Sequence, residues 1–359
     1  MKYRTSVVRA YGALPAVAGT EIIPIRLKDT ISSLLVLTGI NVGAGARLTH
    51  GLEFISKLEI VDGSDVLLSL SGGQIDGLHF LDTGKEGCTF FNNQPSVVDT
   101  MRTRILFGRH LWDTQLALDP TRFENPQLRV TYNTNLVAAA SGISSLGIIA
   151  ECFDEKVISP IGFLQNREFH RFLPATGLPS DIPLPTDLTL RKLIVQAYEP
   201  GMTVGLTLGN VRLDEDNDKR IPFNLTDSEL ATLNDHLFGM MHVGFYMTRE
   251  GAGQPVFVSP TLGGLPSVEN YTGILPIQVM TMAAGRITLT TASNTDMVMG
   301  EHRGSAPYQM LAYPFGVQDD IDDWYDLTNV GDLRLRLTGG TAVPPTATLR
   351  TILQQLRRY

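Results

Sequence analysis

Leu14-Pro15-Ala16, Ile23-Pro24-Ile25, Thr30-Ile31 and Leu34-Leu35-Val36 return 159 positions later as Leu173-Pro174-Ala175, Ile182-Pro183-Leu184, Thr189-Leu190 and Leu193-Ile194-Val195. Residues 14–36 and their copy share eight identities in 23 aligned positions. A second block follows at an offset of 155, where Val66 to Ile75 lies over Ile221 to Leu230. Its chemistry repeats even where the letters change. Ser71 with Gln74, and Thr226 with Glu229, each have the spacing of a capping box, in which the hydroxyl accepts from the amide three residues on and that residue's side chain reaches back to the cap amide. A third block sets Leu128 to Tyr132 against Leu333 to Leu337, each followed by a small-residue loop and a last apolar strand, Leu146 to Cys152 and Thr348 to Leu353. Two repeats of this length are not a solenoid, which stacks several units of roughly 20 to 50 residues. They read as two copies of one domain, residues 14–155 and 173–359, with an N-terminal arm at 1–13 and a linker at 156–172.

Working outward, the segments inside each copy are short. Ser32 to Leu37, Leu58 to Val61, Val66 to Leu70, Leu193 to Ala197, Arg286 to Thr290 and their like are apolar or β-branched runs bounded by Gly, Pro, Asn or Asp, the pattern of a sandwich or barrel. Long helical periodicity is nearly absent, which argues against doubly wound α/β folds and helical bundles. Asp62-Gly63-Ser64-Asp65 and Asp214 to Lys219 have hairpin-turn chemistry. Each copy therefore reads as strand, turn, strand, then one short capped helix. From Leu78 to Leu128 is 50 residues, but from the matching Leu233 to Leu333 is 100, so the second copy carries an insertion, placed at about 239–305. Insertions in β-sandwiches project from the loop ends, where surface function usually sits.

The chain has 359 residues, of which only 18% are charged, against a typical fraction of about 25%. Its 29 basic and 37 acidic residues leave a net charge of −8, which argues against a protein whose main business is coating nucleic acid, since phosphate neutralisation needs clustered Lys and Arg, and leaves room only for a local basic arm. Cys88 and Cys152 have neither CxxC nor metal-ligand spacing and read as buried thiols. Arg9 interrupts the apolar stretch near the N-terminus, so no signal peptide is expected. The uncharged run Val130 to Ala150 is long enough to cross a bilayer, but the repeat makes it strand, loop and strand.

Two tandem all-β domains, each opening with an I-P-[IL] segment before a strand and carrying a capped helix after its hairpin, resemble the double jelly-roll major capsid proteins of tailless icosahedral viruses with an internal membrane, the lineage that includes adenovirus hexon. The resemblance spans nearly the whole chain and rests on architecture, length and duplication. It implies two tandem eight-stranded jelly rolls. It also implies a homotrimer whose six domains make a pseudo-hexagonal capsomer, with trimers packing laterally into a shell beside other capsid proteins such as a penton protein. Such a coat is a virion component, assembled in the host cytoplasm. Loops at one end would form towers, here Gly239 to Ser305 and, smaller, Gly84 to Arg104. The termini would face the membrane, so Lys2, Arg4, Arg9, Arg350, Arg357 and Arg358 are candidates for meeting anionic lipid, and the first three with Arg357 and Arg358 form the membrane-facing set.

Other chemistry is weaker. Asp214, Asp216 and Asp218 alternate like the start of a calcium loop, but Lys219 stands where the turn needs Gly and Leu225 where a bidentate carboxylate is needed. Asp319, Asp320, Asp322 and Asp323, beside Trp324 and Tyr325, could hold calcium between subunits, or form a solvated loop. No cofactor and no catalysis is expected. His50, His79, His110, His170, His236, His242 and His302 are scattered without HExxH, there is no GxSxG or P-loop, and Gly43-Ala44-Gly45-Ala46-Arg47-Leu48 lacks the third glycine of a dinucleotide fingerprint. Asn224 and Asn270 satisfy the glycosylation pattern, with Asn224 placed inside a core strand. Two other function classes compete with a coat protein. One is a carbohydrate-binding or spike-type tandem sandwich using Trp112, Trp324 and Tyr325 to stack on sugars; the other is a bicupin-like metalloenzyme, for which His79 and His236 do not occupy matching positions.

Overall fold

The structure is a computed structural model that describes residues 1–41, 48–93, 98–133, 144–248, 255–264, 267–270, 279–290 and 297–359. Residues 43–47 of the glycine-rich segment lie outside the described residues, as do 134–143 of the long uncharged run and parts of the insertion. The first half runs β1 (Tyr3–Ala13), β2 (Gly19–Pro24), β3 (Ile31–Asn41), β4 (Ile55–Asp62), β5 (Asp65–Leu70), helix α1 (Gly72–Thr83), β6 (Phe90–Asn93), β7 (Val98–Leu106), β8 (Pro126–Tyr132) and β9 (Ser144–Phe153). The second runs β10 (Gly162–Phe172), β11 (Pro179–Pro183), β12 (Thr189–Tyr198), a single turn α2 (Val204–Thr207), β13 (Leu208–Glu215), β14 (Arg220–Thr226) and helix α3 (Asp227–Phe238). The insertion then supplies β15 (Met241–Thr248), β16 (Pro255–Phe257), β17 (Pro260–Leu262), β18 (Ser267–Asn270), β19 (Val279–Ala283), β20 (Arg286–Thr290) and β21 (Met297–Pro307). The half closes with β22 (Met310–Pro314), β23 (Leu333–Gly339) and β24 (Thr348–Arg358).

Strand order makes the duplication explicit. The first half is a sandwich of β1-β9-β3-β7 over β2-β8-β4-β5, and the second repeats it as β10-β24-β12-β22 and β11-β23-β13-β14. Period-two patterning builds each core. In β8, Leu128, Val130 and Tyr132 turn inward and alternate with half-exposed Gln127, Arg129 and Thr131; β23 does the same with Leu333, Leu335 and Leu337. Even the irregularities repeat. The ladder slips between Ile31 and Ser33 on β3 and between Leu190 and Lys192 on β12, and again between Val7 and Arg9 on β1 and between Glu168 and His170 on β10. In one detail the pairing corrects the sequence alignment. Ile23 pairs with Leu128 and its copy Ile182 with Leu335, so Leu128 corresponds to Leu335 rather than Leu333. A two-residue slip keeps the same side chains inward, which is why the letters alone did not reveal it.

The arm and linker read from the sequence are mostly strand. Tyr3–Ala13 pairs with β9, and Gly162–Phe172 pairs with β24 on one side and β5 on the other. Both are the first strand of their sandwich, and both are polar enough to pass for connections. The β5–β10 pairing is parallel, Leu68 beside Asn166 and Ser69 beside Arg167, and it fuses the halves through one eight-stranded sheet, β2-β8-β4-β5-β10-β24-β12-β22. The insertion is not a separate tower either. Its β15 pairs in parallel with β6 of the first half, giving a sheet β17-β21-β15-β6, so the two expected towers share a sheet, while β16, β20 and β19 form a second one. Phe245, Val256, Ile287 and Val298 of the insertion join the core of the first sandwich.

Candidate assembly surfaces

The junction between the halves is built around α1. Its capping box forms as read: Ser71 Oγ accepts from the Gln74 amide at 3.3 Å and Gln74 Oε1 accepts from the Ser71 amide at 2.8 Å. The Gln74 amide nitrogen then donates across the junction to Gln196 Oε1 at 3.0 Å. Gly72 and Gly73 open the helix because a Cβ there would meet Leu52 O at 2.2 Å and Glu53 Oε1 at 2.1 Å. At the other end the Asp82 carboxylate accepts from Arg191 Nη1 at 2.7 Å, Lys192 Nζ at 2.6 Å and Gln354 Nε2 at 2.9 Å, all three groups belonging to the second half. Burial alone would raise the Asp82 carboxyl, but the Lys192 and Arg191 charges hold it below the usual carboxylate range. Burial likewise pulls the Lys192 ammonium down to about 8 against the opposing pull of Asp82. The spare positive charge is shared: Lys192 also donates to Leu81 O at 2.7 Å, and Arg191 lies over the Trp324 ring. Midway along the helix, Asp76 accepts from the Tyr308 hydroxyl at 2.8 Å, and burial raises its carboxyl to about 6. Each of these partners lies more than a hundred residues from the α1 side chain it meets, and sequence reasoning found none of them.

The structure disperses the residues singled out for metal. Asp320 Oδ1 caps the following turn by accepting from the Asp322 amide at 3.1 Å, while Asp323 Oδ2 accepts from the Val317 amide at 2.5 Å. Asp319 gives its backbone carbonyl to Arg109. Asp214 and Asp218 both pair with Arg212, at 2.6 Å and 2.7 Å, and Asp216 Oδ1 accepts from the Gly331 and Asp332 amides, both at 3.0 Å. Among the described residues no group of three His, Cys, Asp or Glu side chains is placed to hold a metal. Of the two histidines weighed for a bicupin, His79 is buried in α1, where desolvation lowers it to about 4, and His236 is exposed on α3.

The basic termini are largely spoken for. Arg4 pairs with Asp29, Arg9 with Glu21 at 2.8 Å, and Arg357 with Asp65 through Nη1 at 2.8 Å, whereas Lys2 and Arg358 are exposed. Arg350 is buried over the Tyr198 ring at 4.2 Å. The aromatics proposed as sugar platforms are packed: Trp112 lies 4.3 Å from Tyr3, Trp324 is buried, and Tyr325 stacks on Phe315 at 4.9 Å. Asn224 sits on a strand, as read, but on its exposed face. No described helix is long and apolar enough to cross a membrane.

No protein-family model and no curated protein matches the chain. Solved structures do. The major capsid protein of Sulfolobus turreted icosahedral virus superposes with a TM-score of 0.61 and 11% identity, over 99% of this chain and 97% of that one. VP54 of PBCV-1 gives 0.58 and 10% over 99% and 93%, and the major capsid protein P2 of bacteriophage PM2 gives 0.53 and 10% over 99% and 98%. The chain is a double jelly roll. In that fold the sheets β1-β9-β3-β7 and β10-β24-β12-β22 are equivalent faces of the two rolls, and every strand of one roll has a counterpart in the other.

Some of the large exposed apolar side chains lie in connections, such as Val157, Leu173 and Val317, and others lie at sheet edges. Val7 and Tyr11 on β1, Ile22 on β2, Leu178 just before β11 and Ile221 on β14 are each at least 45% exposed. All lie on or beside strands that end a sheet, where unpaired backbone groups are also available.

Proposed function

We propose that this chain is a major capsid protein, self-assembling as pseudo-hexagonal trimers into an icosahedral shell around an internal membrane and acting by geometry rather than chemistry. One observation carries the reading: two sandwiches with the same strand order, fused edge to edge by β5 and β10, give a single protomer two equivalent lateral bodies. Three protomers then supply six, which is what a hexagonal lattice site needs, and such closed rings need only one repeated interface. The full-length likeness to capsid proteins supports it. On this reading the protein is a virion component assembled in the host cytoplasm, non-enzymatic and without a cofactor, with penton-type proteins and membrane lipid as further partners.

Mass in solution tests it. The purified 39.3 kDa chain is expected to sediment as a trimer and to form flat arrays or shells on concentration. A stable monomer that binds glycans would overturn the proposal. For the lipid contact, Lys2→Glu with Arg358→Glu is the informative pair, because Arg357 is tied to Asp65 and its loss would disturb the junction. Weaker binding of trimers to anionic vesicles is expected, and unchanged binding removes lipid from the list of partners.

A further inference from the structure

The junction inside the protomer is a template for the junction between protomers. In the first roll the free side of β5 is taken by β10 of the second, with Leu68 beside Asn166 and Ser69 beside Arg167. Among the described residues, the counterpart of β5 is β14, which pairs only with β13, and the counterpart of β10 is β1, which pairs only with β9. Pairing fixes the correspondences residue by residue. Leu68 and Ser69 face Ile60 and Glu59 as Phe223 and Asn224 face Leu213 and Arg212. Asn166 and Arg167, two and one residues before the last pair ahead of the ladder slip on β10, match Thr5 and Ser6 before the same slip on β1. Burial shows what is missing. Ser69 and Asn166 are 7% and 1% exposed, whereas their counterparts Asn224 and Thr5 are exposed.

Charge points the same way. Asp65, at the start of β5, forms an ion pair with Arg357 of β24 across the internal junction. Asp62 pairs with Asp65 as Glu215 pairs with Arg220, so Arg220 stands where Asp65 does. Phe163 pairs with Arg357 as Lys2 O accepts from the Asp154 amide at 3.0 Å, so Asp154 stands where Arg357 does. Acid and base have exchanged places together. Within the protomer Arg220 pairs with Glu215 at 3.1 Å and lies over the Tyr325 ring, with its side chain 66% exposed, and Asp154 lies 4.0 Å from Arg4.

We infer that β14 of each protomer adds in parallel to β1 of the next, Phe223 beside Thr5 and Asn224 beside Ser6, locked by an Arg220–Asp154 ion pair that mirrors Asp65–Arg357. This rests on the trimeric coat reading and names the surface through which its ring closes. It is a strand-addition contact between copies of this chain, with main-chain hydrogen bonds supplying attraction and the ion pair and the covered Val7 and Ile221 supplying register.

Ser6→Cys with Asn224→Cys, treated with a short bismaleimide in dilute solution, tests the register; Cys88 and Cys152 are buried and silent. A denaturing gel is expected to show covalent species up to three chains, absent from either single variant. Trimers by mass that fail to cross-link overturn the inference and leave the coat reading intact, while a monomer at all concentrations overturns both. Independently, Arg220→Asp should raise the concentration at which trimers dissociate by about tenfold, with recovery on adding Asp154→Arg. Failure of the double swap to recover overturns the ion pair, and far-UV circular dichroism of each variant confirms that these surface changes leave the fold intact.

Discussion

Asp82 carries the largest electrostatic stake of any single side chain at the junction. Its three partners come from the second half, and its own side chain is 3% exposed. Asp82→Ala would remove the carboxylate that pairs with two buried cations, Arg191 and Lys192, and leave them only neutral acceptors such as Leu81 O and Gln354 Oε1, and removing one partner of such a group costs about 3–5 kcal/mol. The expected result is a large fall in the denaturant midpoint with little change in slope, and a variant within 1 kcal/mol of wild type, by the same linear extrapolation, would contradict it. Asp76 behaves in the opposite sense. Its folded carboxyl titrates at about 6 against an ordinary 3.8, so its contribution is fully present below 3.8 and lost as pH rises through 6. Asp76→Asn, which keeps an acceptor for Tyr308 but cannot ionise, should therefore gain on wild type in melting temperature as pH climbs from about 4 to above 6. A constant difference over that range would remove burial of the charge as the cause.

At the scale of elements, the same capping box meets two environments. In α1 ten of the twelve residues are buried, whereas in α3 only Leu230 and Asn234 are. Losing a cap costs about 0.5–2 kcal/mol. Ser71→Ala should fall at or beyond the upper end, because Gln74 would lose its orientation toward Gln196 as well, and Thr226→Ala at the lower end; equal shifts in urea midpoint would deny the difference in setting. These helices and the strands around them were legible because a box of two residues and a period of two are local signals. What stayed illegible was decided by pairing at a distance. β10 holds Gln165 and Asn166, 2% and 1% exposed, and reads as a linker because an internal sheet junction tolerates polar side chains that a core face would not. β1 reads as an arm because Arg4 and Arg9 lie on a strand with one open side. The joining of β6 to β15, and of Asp82 to Arg191 and Lys192, links segments more than a hundred residues apart and leaves no trace in either segment alone.

For the whole molecule, the question is whether two copies of one domain remain two folding units. A duplicated sandwich joined only by a linker would melt in two steps. Here the sheet is continuous across β5 and β10, and the first core contains Phe163 and Ile352 from the second roll together with Phe245, Val256 and Ile287 from the insertion. The buried ion cluster at Asp82 spans the same boundary. Unfolding either roll alone would strip cover from the other and strand those charges, so the intermediate is costly and the transition is expected to be single. Scanning calorimetry at a concentration that keeps the protomer's association state fixed should give one peak whose calorimetric and van't Hoff enthalpies agree. Asp82→Ala and Asn166→Pro, which remove the ion cluster's centre and a backbone donor of β10, the strand that joins the two rolls, are each expected to split or broaden that peak before they abolish folding. Two well-separated peaks in the wild type would mean that the shared sheet does not couple the rolls. The copies would then be independent bodies, and the internal seam would lose its standing as a template for the contact between protomers.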